Sequence, residues 1–289
     1  MKIGIYTREK ENGLAMQTLA QLAEHIVNKN MELFVHDSVE LSSDFKYKYT
    51  SFHSFSSTDS VLLDLLITIG GDGTILDTVS IVKDSGIPVL GVNTGRLGFL
   101  AATLPARATA ALDSFFKGAY FVDSRTLIGL ETSQGLFKYN FALNDFVIHK
   151  RDTSSMITIH AYLNGEYFSS YWADGLICST PSGSTGYNLS CGGPILFPKS
   201  SSFVITPIAP HNLNVRPFVI PDDHVLAFEI EGRSPAYLAS LDARSVTITP
   251  NVQMAIRKAP FFFNLIRLKG DNFIKTLKDK MMWGIDSRN

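Results

Sequence analysis

The sequence predicts an α/β amino-terminal domain followed by an all-β, sandwich-like carboxyl-terminal domain. Three observations carry this. Up to about residue 120, short apolar runs alternate with stretches whose apolar residues recur at helical spacing, the rhythm of a parallel sheet with covering helices. From Tyr120 to about Lys258, β-branched and aromatic runs replace that alternation, as in a layered β-sheet domain. Within the first part, Gly70-Gly71-Asp72-Gly73-Thr74 follows the apolar run Leu62 to Ile69 and precedes Ile75, Val79 and Val82. A glycine-rich turn therefore joins a buried strand to a helix N-terminus.

Lys2 to Thr7 reads as the first strand, and Ala15, Leu19, Leu22 and Ile26 mark one face of a helix. Met31 to Val35 is a second strand, and the serine-rich stretch from Ser38 to Ser60 predicts a surface loop. Leu62 to Ile69 is a strand, a helix follows Thr74, and Ile87 to Val92 is another strand. An alanine-rich helix over Ala106 to Phe116 stops at Gly118. In the second part, Asn144-Asp145 interrupts an apolar strand, and Ser155 to Leu163 alternates with period two. Asn164-Gly165 predicts a tight hairpin into Glu166 to Trp172. Further strands are expected over Phe203 to Ile208, His224 to Glu231, Arg244 to Thr249 and Val252 to Arg257. Ala259-Pro260 then leads to Phe261 to Leu268 and a helix with Ile274, Leu277 and Met281 at helical spacing. A lone amphipathic helix must cover something, and the first domain is its expected partner. The expected division is 1–120, 121–259 and a carboxyl-terminal segment, 260–289, packing back on the first domain.

A chain of 289 residues with 45% hydrophobic and 18% charged residues can build one large or two medium cores. Its net charge of -1 supplies no polybasic signal, so neither nucleic acid nor membrane is an expected partner. Cys178 and Cys191 lack metal-ligand spacing, and neither a disulfide scaffold nor a protein-held metal is expected. The amino terminus reads as a strand rather than a signal peptide, and no apolar run approaches the ~20 residues of a membrane span. A soluble cytoplasmic protein is the expectation.

The glycine-rich turn is where chemistry is expected. Free N–H groups and the helix dipole favour an anion there, and Asp72 adds a carboxylate able to take a proton during phosphoryl transfer. A plain turn is the rival reading, because aspartate suits turns for other reasons. Four further stretches are dense in glycine and small polar residues. Asn93 to Leu100 carries Phe99, either a stacking ring or a core phenylalanine. Asn144-Asp145 needs hydrogen-bond partners, which vicinal ribose hydroxyls would supply, a bulge or turn being the other reading of the pair. Asp174-Gly175 leads to Pro181 through Ser190 and on to Cys191-Gly192-Gly193-Pro194, a run suited to close ligand approach. Pro210-His211-Asn212, with Arg216, is the fourth.

Together and in this order, the five motifs resemble the NAD kinase family over nearly the whole chain. The family's Gly-Gly-Asp-Gly-Thr loop is matched by Gly70 to Thr74, and its Asn-Thr-Gly-x-Leu-Gly-Phe loop by Asn93 to Phe99. Its Asn-Glu/Asp pair is matched by Asn144-Asp145, and its Asp-Gly-Leu-Ile…Thr-Pro-x-Gly-Ser-Thr segment by Asp174 to Thr185. The resemblance implies a Rossmann-like parallel sheet plus a β-sandwich, with the last helix returning to the first domain. It implies transfer of the terminal phosphoryl group of ATP, another nucleoside triphosphate or polyphosphate to the 2′-hydroxyl of the adenosine ribose of NAD, giving NADP. Asp72 would be the general base, and Gly70, Gly71, Gly73 and Thr74 the phosphate loop. Asp72, Gly73, Phe99, Asn144, Asp145, Ser155, Asp174, Thr185, Gly186, Tyr187, Asn188, Leu189, Ser190 and Arg244 would contact NAD. The resemblance further implies a divalent ion, magnesium by preference, held mainly by the donor phosphates, and a homodimer or homotetramer whose neighbouring subunits help build the site. This chain departs from the family pattern at Asp77, Trp172, Gly186 and Arg244. A lipid or sugar kinase sharing the first loop, or a silent dinucleotide sensor, are the alternatives.

Overall fold

The computed structural model of the chain describes residues 1–8, 13–58, 61–96, 98–151 and 156–282. The chain divides into two units, residues 1–124 with the chain from Phe263 onward, and Arg125–Phe262.

The first unit opens with β1 (Lys2–Thr7), α1 (Leu14–Asn28), β2 (Glu32–His36), α2 (Ser43–Lys48) and β3 (His53–Phe55). It continues with β4 (Leu65–Ile69), α3 (Asp72–Val82), β5 (Val89–Val92) and α4 (Ala108–Phe116). The strands are parallel and lie in the order β5-β4-β1-β2-β3. The chain winds outward one way from β1 and the other way from β4. The topological switch point therefore lies between these two strands, where open parallel sheets place their ligands. The expected apolar faces are buried: Leu19, Leu22 and Ile26 of α1 and Ile75 and Val79 of α3 have at most 1% exposure.

The serine-rich stretch is not one loop. Ser42 caps α2, its Oγ accepting the Phe45 N–H at 3.2 Å, and Phe45 and Tyr49 pack with their rings tilted at 50° and are buried. Serine acts here as a helix start signal rather than a solvent marker. Asp59 and Ser60 lie outside the described residues. Helix α3 starts at Asp72, three residues earlier than its apolar spacing predicts, because Gly71 takes the extended cap position.

The second unit contains most of β6 (Tyr120–Thr132), then β7 (Phe141–Ala142), β8 (Asp145–Lys150), β9 (Ile157–Leu163), β10 (Glu166–Ala173) and β11 (Gly175–Ser179). A one-turn helix, α5 (Tyr187–Ser190), precedes β12 (Ser202–Ile208), β13 (Phe218–Pro221), β14 (Leu226–Glu231), β15 (Tyr237–Leu241), β16 (Arg244–Ile248) and β17 (Met254–Leu268). Six antiparallel strands form one layer, β13-β12-β11-β8-β15-β16. The order β10-β9-β14, continued by the first half of β17, forms the other. Their inner faces share one core, in which Phe146 of β8 lies 5.9 Å, ring to ring, from Phe228 of β14. The β9–β10 hairpin turns at Asn164-Gly165, both with positive φ.

Two expected boundaries move. Met254 to Arg257 of the strand expected over Val252 to Arg257, and all of Phe261 to Leu268, belong to the single long strand β17, which runs through an exposed Pro260. An edge or exposed position tolerates a residue without an N–H. Asn144 does not sit inside a strand but in the bend between β7 and β8. Beyond β17, α6 (Phe273–Met281) belongs to the first unit, where Phe273 meets the Phe99 ring at 5.8 Å.

Candidate active site

In the first unit the site is built on the carboxyl ends of β4 and β5. Gly70 has φ 151°, and a Cβ there would lie 2.2 Å from Thr74 Oγ1, so only glycine makes this turn into α3. Asp72 is the first residue of α3, a favourable place for a negative charge. The N–H groups of Asp72 and Gly73 have no acceptor among the described residues, as first-turn donors of a helix do. Beside them Arg8 pairs with Asp77, which also accepts the Tyr6 hydroxyl at 2.9 Å. Burial and that bond push Tyr6 up to about 12. Asp77 is thus held by two residues of the β1 end.

The Asp72 side chain faces the loop after β5. Asn93 shapes that loop, its Oδ1 accepting from Gly95 N–H and its Nδ2 donating to the Arg96 and Ala101 carbonyls. The loop then turns three successive N–H groups onto Asp72. Phe99 donates to Oδ2 at 2.7 Å, and Leu100 and Ala101 donate to Oδ1 at 3.0 and 2.9 Å. Successive N–H groups converging in this way form an anion nest. Gly98 permits the approach, since a Cβ there would sit 1.9 Å from Oδ1. Phe99 is buried, with Lys280 of α6 4.7 Å from its ring centre and 3.9 Å from Asp72 Oδ2.

The second unit repeats the device. Asp242, at the β15–β16 turn, accepts N–H groups from Leu143, Asn144 and Asp145. Its bonds fix the bend that presents Asn144 and Asp145. Asn144 Oδ1 is buried and receives no hydrogen bond in the structure, and the Asp145 carboxylate accepts none from the described residues. Burial, reinforced by the Asp242 charge, lifts Asp145 to about 7. Tyr187 stands exposed close by; burial, then Cys191, Asp145 and Asp174, raises its hydroxyl. Asp174 pairs with Lys150 at 2.6 Å. Two acceptor groups without donors thus face a polar, glycine-lined cradle, the complement of a ligand bearing hydroxyl or amino groups.

The chain matches two family models, the ATP-NAD kinase N-terminal domain over residues 3–120 and the ATP-NAD kinase C-terminal domain over 143–268. The chain belongs to the NAD kinase family. An NAD kinase of Flavobacterium psychrophilum is 41% identical over the full length of both chains, and one of Cytophaga hutchinsonii is 50% identical over 82% of each. Two solved structures share the fold. Yeast NADH kinase complexed with NADH superposes with TM-score 0.85 at 21% identity, over 99% of this chain and 88% of its own. An Archaeoglobus fulgidus NAD kinase in complex with ATP gives TM-score 0.77 at 22% identity, over 98% and 99%.

Against this NAD kinase fold the individual residues sort clearly. Gly70, Gly71, Asp72, Gly73, Thr74 and Phe99 gather in the first unit. Asn144, Asp145, Thr185, Gly186, Tyr187, Leu189 and Ser190 gather in the second. Asn188 has a fully buried amide that donates to the Ser184 and Pro194 carbonyls and accepts from Thr206, which braces the segment. Arg244 is likewise engaged, donating to the Tyr139 and Phe141 carbonyls. His211 packs against Trp172. Ser155 lies outside the described residues. The spacing of motifs did not point to Asp242, Asp123, Arg267 or Lys280. A charged residue inside the apolar run Leu265-Ile266-Arg267-Leu268 was the available signal, because a buried charge needs a partner. Among the described residues no group of three His, Cys, Asp or Glu side chains gathers to hold a metal ion, and no helix is long and apolar enough to cross a membrane.

Proposed function

We propose that the chain transfers the terminal phosphoryl group of ATP to the 2′-hydroxyl of the adenosine ribose of NAD, giving NADP, with Asp72 as the proton acceptor. The observation that carries this reading is the state of the Asp72 carboxylate. A carboxylate has about four acceptor positions. Backbone N–H groups take two on Oδ1 and one on Oδ2. The remaining position is on Oδ2, and that atom would receive the ribose proton as the oxygen–phosphorus bond forms. The N–H groups of Asp72 and Gly73 and the α3 dipole suit the donor phosphates at the same helix end. Positioning and charge neutralisation contribute more to such a transfer than the proton step does. The divalent ion would neutralise charge on the donor phosphates and would be held by them and by water. That fits a site with one carboxylate at the turn rather than a cluster.

Asn144, Asp145, Thr185, Gly186, Tyr187 and Ser190 would hold the adenosine part of NAD, and Asp174 its nicotinamide end. The support is the donor-free Asn144 Oδ1 and the buried carboxyl of Asp145 beside it. A first-domain limit at 120 is supported by the span of the amino-terminal family model, and a returning carboxyl-terminal segment by the grouping of the chain from Phe263 onward with residues 1–124. A homodimer or homotetramer is supported by the exposed Trp172, Leu213, Phe218 and Val219 of the second unit. A cytoplasmic location is supported by the two free thiols, Cys178 and Cys191.

The test is to incubate purified protein with NAD, ATP and magnesium and measure NADP with an NADP-specific dehydrogenase. NADP should accumulate, and its absence with every donor tried overturns the reading. Asp72→Asn should still bind NAD but turn over ~10²-fold or more slowly. Near-normal turnover by that variant would remove Asp72 from the role of base.

A further inference from the structure

We infer that Arg267 is a positioning residue for Asp72, acting on its carboxylate through two peptide groups, with Asp123 as its counterion. The inference rests on the reading of Asp72 as the base. Arg267 lies in β17 and Asp123 in β6, and both are buried at 7% exposure. The guanidinium donates from Nη2 to the Phe99 carbonyl at 2.9 Å and from Nη1 to the Leu100 carbonyl at 3.0 Å. Its Nε donates to Asp123 Oδ2 at 3.2 Å. The Phe99 carbonyl and the Leu100 N–H belong to one peptide group, and the Leu100 carbonyl and Ala101 N–H to the next. In a trans peptide these ends point opposite ways. Both N–H ends meet Asp72 Oδ1, and both carbonyl ends meet Arg267.

Two parallel chains therefore run from guanidinium to peptide to carboxylate. Positive charge stands at the carbonyl end of each peptide dipole and negative charge at its N–H end. Every dipole is aligned with the field across it, and hydrogen bonds in such chains strengthen one another. Charge-assisted bonds to a planar guanidinium also fix direction, which a lysine ammonium does not match. The bonds hold the plane of the turn, and the turn holds the plane of the carboxylate. The unfilled acceptor position on Oδ2 is thereby aimed in one direction. Without Arg267, two buried carbonyls lose their donors and the turn is free to rotate. The reacting hydroxyl would then meet a base in the wrong orientation, and a misplacement of ~1 Å can cost ~10²-fold in rate.

The test is a double-mutant cycle on the full chain, read by steady-state NADP formation. Arg267→Gln should lower kcat by ~10- to 10²-fold while leaving the KM values for NAD and ATP nearly unchanged. Arg267→Lys, which keeps the charge but loses the paired donors, should fall between the two. In the Asp72→Asn background, Arg267→Gln should have almost no further effect on kcat, because the group it positions is already gone. An equal loss of kcat in both backgrounds overturns the inference, as does a raised KM with kcat unchanged. If Arg267→Gln does not fold, judged by its thermal unfolding, Arg267→Lys and Asp123→Asn carry the same cycle. Failure of the base assignment is distinguished by Asp72→Asn alone, which would then turn over normally.

Discussion

The carboxylate proposed to take a proton is held in the first unit by three N–H groups, and a second carboxylate uses the same bonds for a different end. Asp72 keeps one acceptor position open on Oδ2, whereas Asp242 serves to shape the bend carrying Asn144 and Asp145. Burial raises both carboxyls: Asp242 in spite of its three N–H bonds, and Asp145, which has none of them. Its carboxyl titrates near 7 because burial, and then the Asp242 charge, disfavours ionisation. This has a measurable sign. An unfolded aspartate titrates near ~3.9, so between that pH and about 7 the folded chain keeps a proton that the unfolded chain has lost. Stability from this group is full below ~4 and falls as pH rises towards about 7, then levels off. Urea midpoints measured across that range should show the decline, and Asp145→Asn should make it shallower, Asp242, which burial also raises, keeping its own share. An unchanged slope in the variant would contradict the assignment. Asp72 was legible in the sequence because its glycine-rich setting is unusual. Arg267 was not, since its partners come from residues 99, 100 and 123 and no local pattern announces them.

Among the elements, α6 depends most on what it covers. It has no fully buried residue, and its ties to the first unit include the Phe273 and Lys280 contacts with Phe99. Aromatic contacts of this kind are worth ~0.5–1.5 kcal/mol beyond their buried area. Phe273→Ala should therefore leave the sheet folded but loosen the Phe99 side chain. The KM for NAD should rise by severalfold while kcat changes less, opposite to the pattern expected for Arg267→Gln. Steady-state kinetics on the two variants separates the roles. The helix itself was readable from Ile274, Leu277 and Met281. Helix α2 was hidden by its own cap, because Ser42 stands in a serine-rich stretch where a capping residue looks like loop. The length of β17 was hidden by Pro260, which ordinarily ends a strand.

At the scale of the whole molecule, the change of character near Tyr120 was visible in composition, and the units part at Ser124 and Phe262. Shared burial between distant stretches is invisible to local patterns, so the split strands β6 and β17 were not foreseen. The exposed Trp172 and Leu213 near His211, and Phe218 beside Phe168, form apolar surface on the second unit. Such surface marks association sites. Trp172→Lys with Phe218→Lys should lower the molar mass measured by light scattering while the circular dichroism of the folded chain persists. An unchanged mass would place any self-association elsewhere.

The first unit is assembled from both ends of the chain. Its outer strand, the guanidinium behind the Asp72 turn and the helix over Phe99 all come from residues 263–282. The second unit is one continuous segment, Arg125–Phe262. During translation the second unit can close while the first still waits for the final residues to leave the ribosome. A product terminated before residue 263, even one carrying every glycine-rich motif intact, lacks the guanidinium that binds the Phe99 and Leu100 carbonyls behind Asp72. The order of synthesis thus places completion of the first unit after that of the second.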